Sequence, residues 1–481
     1  MQWRNLIVPG FAMRRGPRTF SDVEFQRHGT CAEWIKRLGV SAVLCCAATI
    51  GQSATFNPVL EIRTGETLPG GTGDIVVSPG VPQVNDNGFI VYNGTVSNTG
   101  GFGQRVVITR QGVVLRAGDP VPGIPGATFR IITQATLNNN DQFAAVAFIE
   151  GVGVTADNNQ IVFGPDGVVI RKGDPVPGVP GRVFTSLNAV GQPAKILGNG
   201  DVVWSGAYAG DTPGSATQTG YFTSDGPVFE TFDPLPQIPG WTFATGDTAF
   251  NDAGDYAAVT RNGRRPEYAV ISSDGVIAQQ GNEVDGLPGV QFGFFPTSNA
   301  TGPDINKNGD VGYAARLTGE GVTSFNDTAL FINNALILRE GDAVTGLDNV
   351  WFENLYDPTL SDVGTMMFLA TLRGDGITTA NDLGLFYYSD KGAIEQVMRL
   401  GDTIDFGGLM TNVSGLNFLD GLSDNGEHIA FRVFTAQGGA IFSASKTDIA
   451  AVPLPSGAVL LASALFGAGV FGRRRNPSKL K

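Results

Sequence analysis

His428 is the one histidine in the body of this 481-residue chain. A Ser-His-Asp triad or a multi-histidine metal site needs more imidazole than that. The chain has no Gly-x-Ser-x-Gly, no His-Glu-x-x-His and no phosphate-cradling loop. His428 opens the apolar run 428–431 (HIAF) and reads as a packed or rim residue. Carboxylates are the remaining candidates, because a glycan-active hydrolase or lyase works with a facing pair of Asp or Glu. Asp119, Asp174, Asp342 and Asp402 recur in the repeats described below. Recurrence points to turn chemistry, since an active site needs unlike residues converging at one place. The expectation is a non-enzymatic protein with no catalytic residues. The alternative is a hydrolase or lyase using carboxylates in a central funnel.

One metal candidate stands out. Asp304-x-Asn306-x-Asn308-Gly309-Asp310 places oxygens at alternate positions with glycine at the sharp turn, as the start of a calcium loop does. No Glu follows at the bidentate position, and the sister repeats lack the leading Asp. The run reads first as an Asx-rich turn, with Asp304, Asn306, Asn308 and Asp310 as weak calcium candidates. No other cofactor is expected.

The composition says what must position these residues. The chain holds 67 Gly and 27 Pro, with 16% charged and 42% hydrophobic residues. Gly and Pro at that density cut a chain into short segments, while the apolar share still builds a core. Short strands joined by many turns follow. The net charge of −13 is uneven: residues 1–54 carry 7 basic and 3 acidic side chains, and the stretch after Phe471 carries 5 basic and none acidic. The body between them has 20 basic against 42 acidic side chains, which argues against nucleic acid as a partner. All 3 cysteines (Cys31, Cys45, Cys46) precede the body, which excludes a disulfide framework and a cysteine nucleophile there.

Two elements recur 7 times in the body. The first is an apolar residue, then Asn-x-x-Gly, then an apolar strand: Asn85 to Gly88, Asn251 to Gly254 and Asn306 to Gly309 are clear copies. In looser ones Asp141 replaces Gly after Asn138, Leu197 replaces Asn before Gly200, and Ser361 and Ser423 replace Asn before Gly364 and Gly426. Successive copies lie 53 to 62 residues apart. Asn hydrogen-bonds its own turn, and Gly takes positive φ without steric cost. The second element is a strand ending in Arg-x-Gly-Asp and a Pro-Gly turn, as in 113–123 (VVLRAGDPVPG) and 168–178 (VVIRKGDPVPG). A short aromatic strand lies between the two, and the strand after each Asn turn (143–148, FAAVAF) is apolar throughout, which marks burial on both faces.

The phase of the repeats is offset. The body opens on an Arg-x-Gly-Asp-type element at 59–70 and closes on the aromatic strand 439–445 that should precede one. In a ring the two would share one blade. The expected fold is therefore all-β, a seven-bladed propeller over 55–447 closed by its N-terminal strand, with an extended β array or β-helix as the alternative. The Asn-x-x-Gly repeats followed by Ala147-Phe148 and Ala430-Phe431 resemble the bacterial choice-of-anchor tandem repeat family containing NxxGxxAF. That resemblance implies varied C-terminal anchors on a shared body and carries no activity.

The two ends read as addresses. Lys36-Arg37, the apolar run 38–50 and the small residues after it make a secretory signal, so 1–54 is a leader. Residues 448–481 read as a sorting tail: Val452-Pro453-Leu454-Pro455, a short apolar stretch and Arg473-Arg474-Arg475, which favour the cytoplasmic side. This tail resembles the PEP-CTERM signals of the VPLPA variety, with Ser456 in place of the usual Ala. The resemblance implies an exosortase-type processing enzyme as a partner, transient membrane anchoring, and final placement at the cell surface or outside. The function expected is a binding or structural component of the cell surface or extracellular matrix. Extracellular polysaccharide or another surface component would be its partner.

Overall fold

The computed structural model describes residues 56–446 apart from 71–72, 98–102, 210–216, 244–247, 263–266 and 297–301. The expected leader with its three cysteines, and the expected tail with Val452, Pro453, Leu454, Pro455, Arg473, Arg474 and Arg475, lie outside the described residues. All regular structure among the described residues is β, and none of it is a helix that could cross a membrane.

Blade 2 shows how the repeated turns build a sheet. Its inner strand, Ala127–Ile132 continued by Thr136–Leu137, turns at Asn138 into Phe143–Gly151, which pairs with Gln160–Gly164 and then with Gly167–Arg171. Every pairing is antiparallel. The Asn-x-x-Gly element is thus the turn from first to second strand, the aromatic run is the third strand, and Arg-x-Gly-Asp ends the fourth. Six sheets follow this chain order, and a seventh completes a β-propeller. A two-stranded hairpin, Thr403–Asp405 with Met410–Asn412, precedes the last blade.

The seventh sheet takes Gly415–Asn417, His428–Thr435 and Gly438–Ser445 from the C-terminal side and Val59–Arg63 from the N-terminal side. Val59 pairs with Ser443 and Arg63 with Ala440, and a bridge from Phe56 to Lys446 extends the contact. The ring closes through the offset phase, and the open-array alternative does not apply. Glu61 latches the joint: it accepts from Ser443 Oγ and forms a two-pronged ion pair with Arg110 of blade 1, Nη2 to Oε1 at 2.6 Å.

The cores lie between neighbouring blades. In Phe143–Gly151, Ala145, Ala147 and Ile149 face the cluster shared with blade 1, while Ala144 and Val146 face the cluster shared with blade 3. Both faces are covered there, which is why the strand is apolar from Phe143 to Ile149, with Glu150 and Gly151 exposed at its end. Aromatic pairs knit each interior, as where Phe352 meets Phe386 edge-on at 5.0 Å.

Candidate functional site: the axial cavity

Each motif asparagine serves two blades at once. Asn85 Oδ1 accepts from the N–H groups of Asn87 (3.1 Å) and Phe89 (2.9 Å), which shapes its own turn, and Gly88 takes φ +69°. Its Nδ2 donates across to the Asn138 carbonyl of the next blade at 2.9 Å. Asn138, Asn251 and Asn306 repeat the reach, to the carbonyls of Leu197 (2.9 Å), Asn306 (3.0 Å) and Ser361 (3.1 Å). Asp141 adopts φ +60° where the other turns have glycine.

Where the motif degenerates, another donor spans the gap. Ser361 and Ser423 keep the accepting half, from Thr365 N (3.1 Å) and His428 N (2.9 Å), but are too short to reach across. Backbone takes over from Asp362 N to Asp424 O (2.6 Å) and from Gly198 N to Asp252 O (2.9 Å). Asn425 completes the circuit by donating its N–H to Asp86 Oδ1 (2.6 Å) and Nδ2 to Asp86 O (3.2 Å). All 7 blade junctions are bonded this way.

The residue after each motif position stands at the axis: Asp86, Asn139, Gly198, Asp252, Lys307, Asp362 and Asp424. Asn139 spans the ring, donating Nδ2 to Asp424 Oδ2 at 2.8 Å and to Asp252 Oδ2 at 3.5 Å. Lys307 pairs with Asp362 at 3.0 Å.

Two positions before the motif residue, the blades turn side chains onto a shared cavity of about 330 Å³. Here they differ: Gln83, Thr136, Lys195, Ala249, Asp304 and Thr359 hold this position in blades 1 to 6, and Asp420 enters from blade 7. Burial lowers the Lys195 ammonium's affinity for its proton, but Asp420, Asp424, Asp252 and Asp304 outweigh it and hold the group above the ordinary lysine range. Asp304 is pushed up to about 7, first by burial and then by Asp420, while the Leu360 and Ile305 N–H groups and Lys195 oppose the rise. Asp424 is pushed up to about 6 by burial, with Lys195 opposing and Asp252, Asp362 and Asp86 adding. Burial raises Asp252 as well.

A family of unknown function, DUF7453, matches residues 51–228 and again 226–451. The chain belongs to the DUF7453 family. No curated protein matches it. Among solved structures, a Trypanosoma rangeli sialidase in complex with sialic acid is 10% identical with TM-score 0.30, over 88% of this chain and 63% of that one. The chain therefore spans less than two thirds of that sialidase. A protein of unknown function from Dyadobacter fermentans is 11% identical with TM-score 0.28, over 80% of this chain and 98% of that one. At these levels the likeness concerns the fold alone.

In this DUF7453 protein the recurring acids are turn residues. Asp174, Asp342 and Asp402 accept from the backbone N–H of Arg171 (2.8 Å), Arg339 (2.7 Å) and Arg399 (2.7 Å), three residues earlier. Asp119 makes the same backbone turn, its N–H donating to Arg116 O at 3.1 Å. None of the four lines the cavity. The arginines pin a neighbouring loop, as Arg339 Nε does on Asn326 O at 2.7 Å.

The calcium candidates are spread over separate tasks. Asp304 faces the cavity, Asn306 bridges blades, Asn308 donates to Asp362 O (2.8 Å) and Asp310 accepts from Asn333 (2.8 Å). Among the described residues no group of three or more His, Cys, Asp or Glu side chains is gathered for a metal. His428 sits at the rim, with Nδ1 2.9 Å from Ser445 Oγ. Sequence reasoning missed Lys195, Gln83, Asp420 and the axial side of Asp304. Aligning the repeats on the motif residue and reading two places upstream would have found all but Asp420.

Proposed function

We propose that this DUF7453 protein is an exported, surface-tethered component of the cell surface or extracellular matrix that binds its ligand in the axial cavity, without catalysis. One observation carries the reading: equivalent positions of the blades bear an amide, hydroxyls, an ammonium and a carboxylate around one cavity, and Asp420 adds a second carboxylate. No two neighbouring blades share a residue there, whereas the motif position keeps asparagine in four of the seven blades. The resemblances of the leader and of the Val452 to Pro455 tail support export and exosortase-type processing, and extracellular polysaccharide is the partner class that fits this setting. Matrix pull-down and glycan-array binding by the purified protein, lost in Lys195→Ala and Asp304→Ala, test it. Binding that both variants retain would remove the cavity from the account.

A second reading is favoured by the sharing of one cavity by Asp304 and Asp420, with Asp304 protonated over part of the neutral range. Such a pair suits a glycan-active hydrolase or lyase. Release of reducing ends from a polysaccharide panel, abolished by Asp304→Asn, would replace the binding reading with this one.

A further inference from the structure

The cavity wall holds two buried polar atoms with no partner among the described residues: Gln134 Nε2, a donor, and Asn188 Oδ1, an acceptor. A buried polar group left unpaired costs about 1–3 kcal/mol, so two of them on residues that line one cavity suit a partner that enters. Lys195 adds an ammonium with no hydrogen bond or ion pair among the described residues. Asp420 has Oδ2 occupied by Gln83 Nε2 at 2.8 Å and presents Oδ1. Hydroxyl groups answer this mixed set, since each accepts from an amide or ammonium and donates to a carbonyl or carboxylate. Tyr221 and Phe250 contribute aromatic surface for the C–H face of a ring.

Charge narrows the class. Asp304 and Asp420 in the cavity, with Asp252 and Asp424 beside it, stand against the single Lys195, and Lys307 is already paired with Asp362. Together these carboxylates outweigh the effect of burial on the Lys195 ammonium, so the field in the cavity is negative. A carboxylate or phosphate on the ligand would enter against it. About 330 Å³ corresponds to roughly eleven waters at ~30 Å³ each, room for one pyranose ring with part of its water retained.

We infer that the axial cavity takes one uncharged hexopyranose unit and turns away acidic sugars. This rests on the cavity being the ligand site. The test is calorimetric titration of the purified full chain with methyl hexopyranosides (gluco, galacto and manno) and with the methyl glucuronide. At least one neutral glycoside should bind, with the glucuronide at least tenfold weaker, and Gln134→Leu should weaken the neutral ligand at least tenfold. Asn188→Ala, on a different blade, serves if Gln134→Leu does not fold. A glucuronide that binds more tightly, in a manner sensitive to Gln134→Leu, overturns the ligand class and leaves the cavity reading standing. Glycoside binding indifferent to both variants overturns the cavity reading itself. No binding of any glycoside, while matrix binding stays sensitive to Lys195→Ala, overturns the ligand class alone.

Discussion

The side-chain amide of Asn306 donates to the Ser361 carbonyl of the next blade at 3.1 Å while its oxygen accepts from the Asn308 and Asp310 N–H groups at 2.9 Å each. Few side chains have both an acceptor and a donor on one short, planar group. Alanine would lose these three bonds and the one from Nδ2 to Asp310 Oδ2 at 3.2 Å, and would leave the buried Ser361 carbonyl unmet.

Asn306→Ala should therefore destabilise the propeller by about 2–3 kcal/mol. Asn306→Ser should cost less, about 1–2 kcal/mol, because Ser361 and Ser423 show that a hydroxyl keeps the turn half. Urea unfolding of the two variants checks the ranking. Equal losses would mean that the reach across the junction contributes nothing beyond the turn.

Glu61 holds the closing strand to two blades, and its carboxyl lies below the usual range. Burial raises it, but the hydrogen bonds from Arg110 and Ser443 and the charge of Arg110 prevail. A lowered folded value stabilises the protein above the unfolded value near 4.5, an effect lost as pH falls through the folded value. Glu61→Gln should cost about 1 kcal/mol at pH 7 and progressively less toward pH 3, the pair being partly exposed. Removing the chain through Arg63 should have a far larger effect, since it bares the Gly438–Ser445 edge and invites association between molecules. Light scattering and thermal melts of chains starting at residues 55 and 64 separate the two effects.

The closed ring was legible because its cause is local and periodic. Positive φ at Gly88 and Gly254, and the Asx turns before them, follow from residue type alone, and the orphan element at 59–70 had one place to pair. The axial site was not legible in the same way. Asn85 reads as a turn residue until the Asn138 carbonyl is seen beside it, and Lys195 looks like any strand lysine until Asp252, Asp304, Asp420 and Asp424 surround it. The axial side of Asp304 was hidden for the same reason. Its neighbours in sequence read first as an Asx-rich turn, with a weak likeness to a calcium loop, and neither reading shows that its second oxygen accepts from Leu360 in the next blade at 2.7 Å. Long-range partners decide the role, and a motif spacing carries no record of them.

The recurring aspartates should behave as turn caps. Asp342→Asn keeps one acceptor for the Arg339 N–H and should cost under about 1 kcal/mol, whereas Asp342→Ala should cost about 1 kcal/mol or more. Matrix or glycan binding should be unchanged in both, because Asp342 lies outside the cavity. A binding loss in the folded Asp342→Asn variant would move the site to the loop-bearing face of the ring.

The raised carboxyls at the axis give stability an unusual slope with pH. Asp304 titrates at about 7 in the folded protein against 3.8 unfolded, and Asp424 at about 6. The unfolded chain releases these protons first, so their contribution is fully present below about pH 3.8 and is lost as pH rises toward 7. Other carboxylates, Glu61 among them, oppose that trend on the acid side, so a difference between variants is the clean readout. Asp304→Asn, neutral at every pH, should flatten the decline between about pH 4 and pH 7, and its stability relative to the parent chain should improve across that window and level off above it. Unfolding free energies measured at half-unit steps check this. A difference that stays constant with pH would mean that Asp304 is ionised throughout, with Lys195 rather than burial setting its charge.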